Sequence, residues 1–302
     1  MDLLTGILVS LVVAATPLVF AAIGELVVEK SGVLNLGVEG MMIIGAIAGF
    51  AATIETGSYV PGLLAAMLAG ALMALLFGVI TLSLLANQVA SGLALTLFGL
   101  GLSALIGQPY SGKSAGAFPH LYIPGLSDLP LIGPLVFGQD GMVYLSLAVV
   151  AGVAWFLHRT RAGLVLRAIG ENHDAAHAIG YPVVLYRYAA LAFGGACAGL
   201  GGAYLSLVQA PLWVERMTAG RGWIALALVV FAAWRPWRTV AGAYLFGGVT
   251  ILQLHGQGLG LKIEAQYLSM LPYLATILVL VLISRSRTVA PASLGKPFHA
   301  TT

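Results

Sequence analysis

Charge is the scarcest property of this chain: Asp, Glu, Lys and Arg make up only 8% of its 302 residues, against 60% hydrophobic. A soluble domain cannot cover its surface with so few charges, so that class is excluded and a polytopic membrane protein is left. The mean hydropathy of +0.98 agrees. Cysteine is nearly absent. The lone Cys197, inside a Gly/Ala-rich apolar run, has no disulfide partner and no neighbouring metal ligand, and reads as a small packing residue. The marks of a cleaved leader are missing too. No basic residue precedes the first apolar run, Leu3 to Ile23, and no small-residue cleavage site follows it, so the run is expected to stay as a helix. A net charge of +3 in so apolar a chain gives no reason to expect nucleic acid; the placement of the charges is what informs.

Spanning about 30 Å of hydrocarbon takes roughly 20 apolar residues per helix. On that scale about nine apolar runs stand out, near 3–23, 41–54, 60–86, 89–107, 142–158, 184–208, 222–234, 239–254 and 267–284. The expected fold is all-α, with about nine (eight to ten) transmembrane helices. The runs 41–54 and 222–234 are short and abut Gly-rich polar stretches, which predicts broken or re-entrant segments near 24–40 and 209–222. If the loop after the fifth run is cytoplasmic, Lys30, Arg159, Arg161, Arg167, Arg187, Arg235, Arg238, Arg285, Arg287 and Lys296 fall inside. Only Lys113, Arg216, Arg221 and Lys262 are then left outside. The same orientation gives a transmembrane domain over 1–284, a cytoplasmic loop at 159–183, an external loop at 108–140 and a cytoplasmic tail at 285–302. With nine spans the N-terminus lies outside.

Three polar stretches interrupt this apolar background. The first is Glu29-Lys30-Ser31-Gly32-Val33-Leu34-Asn35-Leu36-Gly37-Val38-Glu39-Gly40-Met41-Met42. Irregular, charged backbone at membrane depth is tolerated only where it is buried in protein or lines a water-filled path. The second lies in 159–183, where Asn172 suits an N-cap for a short helix over Asp174 to Ile179 and Gly180 before Pro182 a stop. On the residues alone, a helix lying on the membrane surface or a solvated connector fits this stretch as well. The third is Gly220-Arg221-Gly222-Trp223-Ile224-Ala225-Leu226-Ala227, running on to Trp234-Arg235-Pro236-Trp237.

Together these stretches resemble the permease subunits of bacterial ABC importers, the family that takes up branched-chain amino acids, simple sugars and nucleosides. The nucleoside/simple-sugar branch is the most similar, and the resemblance runs from about residue 16 to 284. In the loop it falls on Arg167, Ala168, Gly170, Asn172, Ala175, Ala176 and Gly180. It implies that this segment docks in a groove on a cytoplasmic ABC ATPase subunit, Ala175 and Ala176 letting the helix seat closely while Arg167 and Glu171 pair at the rim. It also implies a nucleoside or related ribose-containing solute, a second homologous permease subunit, an extracytoplasmic solute-binding protein and a place among the lipids of the bacterial inner membrane. ATP and Mg would then be bound by the partner, with no cofactor and no catalytic residue in this chain. One position departs from the family pattern: the helix that starts at Gln88 carries Thr96 where an Asn is expected, so a hydroxyl replaces an amide.

A path for a polar, uncharged solute needs amides, hydroxyls and aromatic faces, and few are present. The candidates are Asn35 and Glu39 in the first break, Asn87, Gln88, Ser91 and Thr96 on the fourth run, and Gln209, Trp213 and Trp223 around the second break. For several of them an interhelical hydrogen bond is the competing role. Gly107-Gln108-Pro109-Tyr110-Ser111-Gly112-Lys113-Ser114 fits the P-loop pattern literally, but a membrane helix precedes it where a buried strand is needed. The pair His173 and His177 has no third metal ligand fixed by sequence. Gly45 with Gly49, and Gly195 with Gly199, read as small faces for helix packing. Three alternatives compete: a branched-chain amino acid or simple-sugar permease, an ion-coupled secondary transporter, and a membrane enzyme. The secondary transporter calls for an acidic residue in the middle of a span, and the enzyme for a convergent catalytic set.

Overall fold

Long apolar runs in a medium without water must satisfy their backbone internally, and this chain does so with helices. The computed structural model describes residues 3–122, 124–127, 129–130, 132–258 and 290–299, with isolated helical positions at 267, 270, 274, 277 and 281. In chain order the helices are α1 (Leu3–Lys30), α2 (Val38–Thr56), α3 (Tyr59–Gly78), α4 (Gln88–Gly107), α5 (Gly141–Arg159), α6 (Arg161–Glu171), α7 (His173–Ala178), α8 (Val183–Tyr204), α9 (Arg221–Phe231) and α10 (Pro236–Gly258). Helices α3 and α8 each run on into one π-helical turn, Val79–Ser83 and Leu205–Gln209. Among the described residues there is no strand, only the isolated bridges Ser114 to Leu212 and His120 to Asp140.

Among the described residues six helices are long and apolar enough to cross a membrane: Leu4–Lys30, Val38–Thr56, Tyr59–Ser83, Gln88–Tyr110, Gly141–Arg159 and Val183–Gln209. The all-α membrane fold stands, and six of the about nine expected segments are long spans among the described residues. Helix α9, at 11 residues, is too short to cross, and α10 is not among the six. The ninth expected run, 267–284, lies outside the described residues but for its isolated positions. The first break is also shorter than expected. Helix α1 continues through Gly24 to Lys30, so the irregular backbone spans 31–37, because the carboxylates of Glu25 and Glu29 find partners without unwinding the helix. Two acidic residues therefore sit in the last two turns of a long apolar helix.

Helices α1, α2, α3 and α8 form the centre. Their backbones meet at glycine: a Cβ on Gly45 would strike the backbone of Gly199, and one on Gly199 the carbonyl of Ala66. A Cβ on Gly195 would strike the Gly70 carbonyl in the same way. Without a solvent-driven hydrophobic effect between helices in lipid, such close approach supplies the dispersion contacts that hold them. Both glycine pairs are the packing faces expected. Cys197, 3% exposed, packs in the same layer against Gly24.

Each end of the bundle is closed differently. At one end Asp140 caps α5, accepting from the N–H groups of Met142 and Val143 at 2.9 and 3.1 Å, and its second oxygen accepts from the Tyr204 hydroxyl at 2.9 Å. At the other end lie the C-terminus of α1, the pair α6–α7 and residues 290–299.

Candidate functional site

Beyond Lys30 the chain turns sharply, with the Gly32 N–H donating to the Glu29 carbonyl at 2.9 Å and Gly32 at φ +87°, a conformation that favours glycine. Residues 33–37 then return beside α1. Asn35 Nδ2 donates to Glu25 Oε2 at 3.1 Å, while Asn35 Oδ1 accepts from the Gly37 N–H at 3.0 Å. Helix α4 closes the loop from the other side: Gln88 Oε1 accepts from the Leu34 N–H at 2.8 Å, and the Thr96 hydroxyl donates to the Leu36 carbonyl at 3.2 Å.

The second break, 210–220, meets the first at Glu39. One carboxylate oxygen accepts from the Thr218 hydroxyl at 2.6 Å and the Gly220 N–H at 2.8 Å, the other from the Gly222 N–H at 2.7 Å. These donors sit at the N-terminus of α9, where unpaired N–H groups and the helix dipole favour a negative charge. Gly222 lies against the Glu39 backbone, with no room for a Cβ. At the other end of α9, Ala233 and Trp234 adopt φ of +53° and +54°, costly for residues other than glycine, and this turn delivers the Trp234 indole N–H to Glu29 Oε2. The two breaks thus form one polar joint, tied by buried carboxylates at both ends of a half-length helix.

Of the candidate path residues, Asn35, Glu39, Gln88 and Thr96 come together in this joint, and all are buried. Each is bonded to the chain itself. Gln88 Nε2, Glu25 Oε1 and Glu29 Oε1 are buried without a partner. Asn87 is exposed and caps α4, accepting from the Ala90 N–H at 3.0 Å, and Ser91 is half-buried one turn on. Trp223 is half exposed on α9. Gln209 and Trp213 are elsewhere: Trp213 packs on Gly107, at the far end of α4, roughly 30 Å from Gln88 for a helix of that length. The nine residues therefore do not converge on a single lining.

The loop after α5 forms two short helices. Asn172 caps α7 through the Ala175 N–H at 3.0 Å, and Gly180 at φ +91° ends it, so α7 covers His173–Ala178, one residue earlier than expected. Gly170 packs on the Lys30 carbonyl, seating α6 on the end of α1. Glu171, Asn172, Asp174, Ala175 and Gly180 are exposed. Ala176 is not; it is buried with Val165, Ile169, Val183 and Phe298, so only Ala175 of the small pair is presented outward. No Arg167–Glu171 ion pair forms among the described residues; Arg167 is half-buried with its Nε unpartnered.

Arg187 escaped the sequence reading, which counted it only as a cytoplasmic positive charge. It is 1% exposed, donating from Nε to the Ser31 carbonyl at 3.1 Å, from Nη2 to His173 Nδ1 at 3.1 Å and from Nη1 to the Lys296 carbonyl at 3.5 Å. Burial, followed by the Arg187 charge and the smaller effect of Lys296, holds the His173 imidazole below its usual pKa, opposed by Asp174 at 3.5 Å. A neutral ring suits a nitrogen that accepts from a guanidinium. No group of three or more metal-ligating side chains occurs among the described residues. The P-loop lookalike lies on the last residue of α4, a 3-10 turn and a loop whose Ser114 hydroxyl and Ala115 N–H donate to the Pro211 carbonyl. It lacks the strand and helix a phosphate cradle needs.

Apolar helices around two broken segments, with a polar hub at one end, suit a membrane transport subunit. The chain matches the family of the branched-chain amino acid transport system / permease component over residues 7–282, and it belongs to that family. It is 43% identical to a putative glucose ABC transporter permease protein of Haloferax volcanii, over 93% of this chain and 92% of that one. It is also 34% identical to the guanosine ABC transporter permease protein NupQ of Bacillus subtilis (98% and 97% covered) and 35% identical to the nucleoside ABC transporter permease protein NupC of Lactococcus lactis (96% and 95%). These relatives are transport subunits rather than enzymes.

Proposed function

We propose that this chain is one of two permease subunits of an inner-membrane ABC importer, and that its solute is a nucleoside or a related ribose-containing molecule. The observation that carries the solute class is full-length similarity to permeases named for guanosine and nucleosides. In this reading an ATPase subunit, which binds ATP and Mg, docks on the exposed face of α6–α7 around Ala175. A solute-binding protein delivers its load at the opposite end, near 108–140, and the C-terminus is cytoplasmic. Lys30, Arg167, Arg187 and Arg235 cluster on the docking side, as cytoplasmic placement requires. About nine membrane segments follow if α9, α10 and 267–284 are added to the six long helices. The joint of Asn35, Glu39, Gln88 and Thr96 borders the path and changes shape as it opens, while Ser91, Trp223, Gln209 and Trp213 extend the path toward its two mouths.

A hexose is the second reading, favoured by the relative named for glucose. Uptake of labelled guanosine, adenosine and uridine into vesicles carrying the complete complex separates the two when glucose, ribose and leucine are offered as competitors. Nucleoside uptake that resists glucose is expected; uptake abolished by glucose alone would transfer the assignment to hexoses.

A further inference from the structure

Past the last apolar run lies a segment that nothing in the apolar pattern explains. Residues 290–299 fold back onto the bundle and bond to two elements at once. Toward α6–α7, the Ser293 N–H donates to the Gly170 carbonyl at 2.8 Å, its hydroxyl donates to the Glu171 carbonyl at 3.3 Å, and the same oxygen accepts from the His173 N–H at 3.4 Å. Toward the first break, the Gly295 N–H donates to the Gly32 carbonyl at 3.1 Å. Gly32 is two residues from Leu34, whose N–H is held by Gln88. Arg187 joins the three parts through Ser31, Lys296 and His173. Phe298, 7% exposed, inserts edge-on between His173 and His177, at 5.3 Å from each ring, over Val165, Ile169, Ala176 and Val183.

Helix α7 therefore has two faces with different neighbours. His173 and Ala176 point to the tail, while Asp174, Ala175 and Ala178 are exposed. A partner seated on the exposed face would not displace the tail but would press α7 onto it. Coupling between two sites needs a contiguous packed element that both can bias, and the tail touches both the docking pair and the break.

We propose that residues 290–298 act as a strap that positions α6–α7 on the first break, transmitting movement of the docking helices to Asn35 and Gln88. Ser293, Phe298 and Arg187 are its positioning residues. The inference rests on the permease reading above and assigns the tail a role in energy coupling rather than in solute or ATPase binding.

The test uses the complete complex in vesicles, with three readouts: ATPase subunit retained, ATP hydrolysed and solute taken up. Chains that stop after residue 289 are expected to retain the ATPase and hydrolyse ATP, while solute moved per ATP falls about ten-fold, within the range of coupling changes caused by remote substitutions. Ser293→Ala, which leaves the fold intact, lowers the same ratio about two- to three-fold. Phe298→Leu, which keeps an apolar side chain in place, restores most of what Phe298→Ala loses. Wild-type solute-to-ATP ratios in the truncated chain would overturn the strap. So would a loss of uptake that only parallels loss of the ATPase subunit, because that is the signature of a folding or docking element. If the wild-type complex shows no ATP-dependent uptake, the permease reading falls and the strap with it.

Discussion

The glycine seam of α2, α3 and α8 and the polar joint of the two breaks hold helices together by opposite means. In the seam, backbone lies on backbone at Gly45, Gly70, Gly195 and Gly199, with no room for one more methyl group. In the joint, named side chains carry the contacts: Glu39 on the α9 N-terminus, Asn35 on Glu25 and Trp234 on Glu29. Close-packed backbones have a single good arrangement, whereas hydrogen-bonded pairs can be exchanged one at a time for others. In the reading proposed above, the seam moves as a block and the joint is where the bundle changes shape.

The largest effect is expected where the seam is broken. Gly199→Leu forces side-chain atoms into the Ala66 carbonyl and should cost about 3 kcal/mol or more, seen as loss of the monodisperse protein in detergent; an unchanged thermal midpoint would show that the seam is looser than described. Next comes Glu39→Ala, which strips the acceptor from three donors at the head of α9. A loss of about 2–3 kcal/mol is expected, with Glu39→Gln intermediate, and thermal unfolding of the three proteins measures it. Asn35→Leu leaves Glu25 Oε2 and the Gly37 N–H without their partner, for about 1–3 kcal/mol. If the joint is the mobile part, both joint variants lower uptake more steeply than they lower the midpoint. Asn87→Ala removes only an exposed cap and should cost about 1 kcal/mol, with solute preference unchanged in the competition assay.

The smallest effect is a dependence on pH. His173 faces Arg187, Asp174, His177, Ser293, Lys296 and Phe298, and its folded pKa lies below 6.5. The folded chain therefore binds fewer protons than the unfolded one. The contribution is fully present above pH 6.5 and is lost as the pH falls from there toward the lowered folded value. Midpoints compared at about pH 7.5 and 5.5 should fall for the wild type, and less for His173→Gln, whose amide oxygen also accepts from Arg187.

Much of the bundle was legible because apolar length is a one-dimensional signal: the runs at 89–107, 142–158 and 184–208 became α4, α5 and α8 within a few residues. The cap at Asn172 and the stop at Gly180 were equally local. What was not legible depends on partners distant in the chain. Glu25 and Glu29 suggested an early break, yet they stay helical because Asn35 and Trp234 reach them. Ala175 and Ala176 are alike in sequence, and which is buried depends on Val165, Ile169, Val183 and Phe298, the last more than a hundred residues on. Arg187 looked like one more positive charge on the inner side, because nothing near it in the chain names the Ser31 and Lys296 carbonyls it holds.

The most direct test of the account is ATP-dependent uptake of labelled nucleosides by vesicles containing this chain with the proposed ATPase and binding protein, with wild type set beside Ala175→Arg. The account predicts uptake that requires ATP and collapses in the variant while the permease remains folded, because Ala175 is the member of the Ala175–Ala176 pair that α7 presents outward. Uptake that ignores ATP and follows an imposed ion gradient, equal in both proteins, would contradict it.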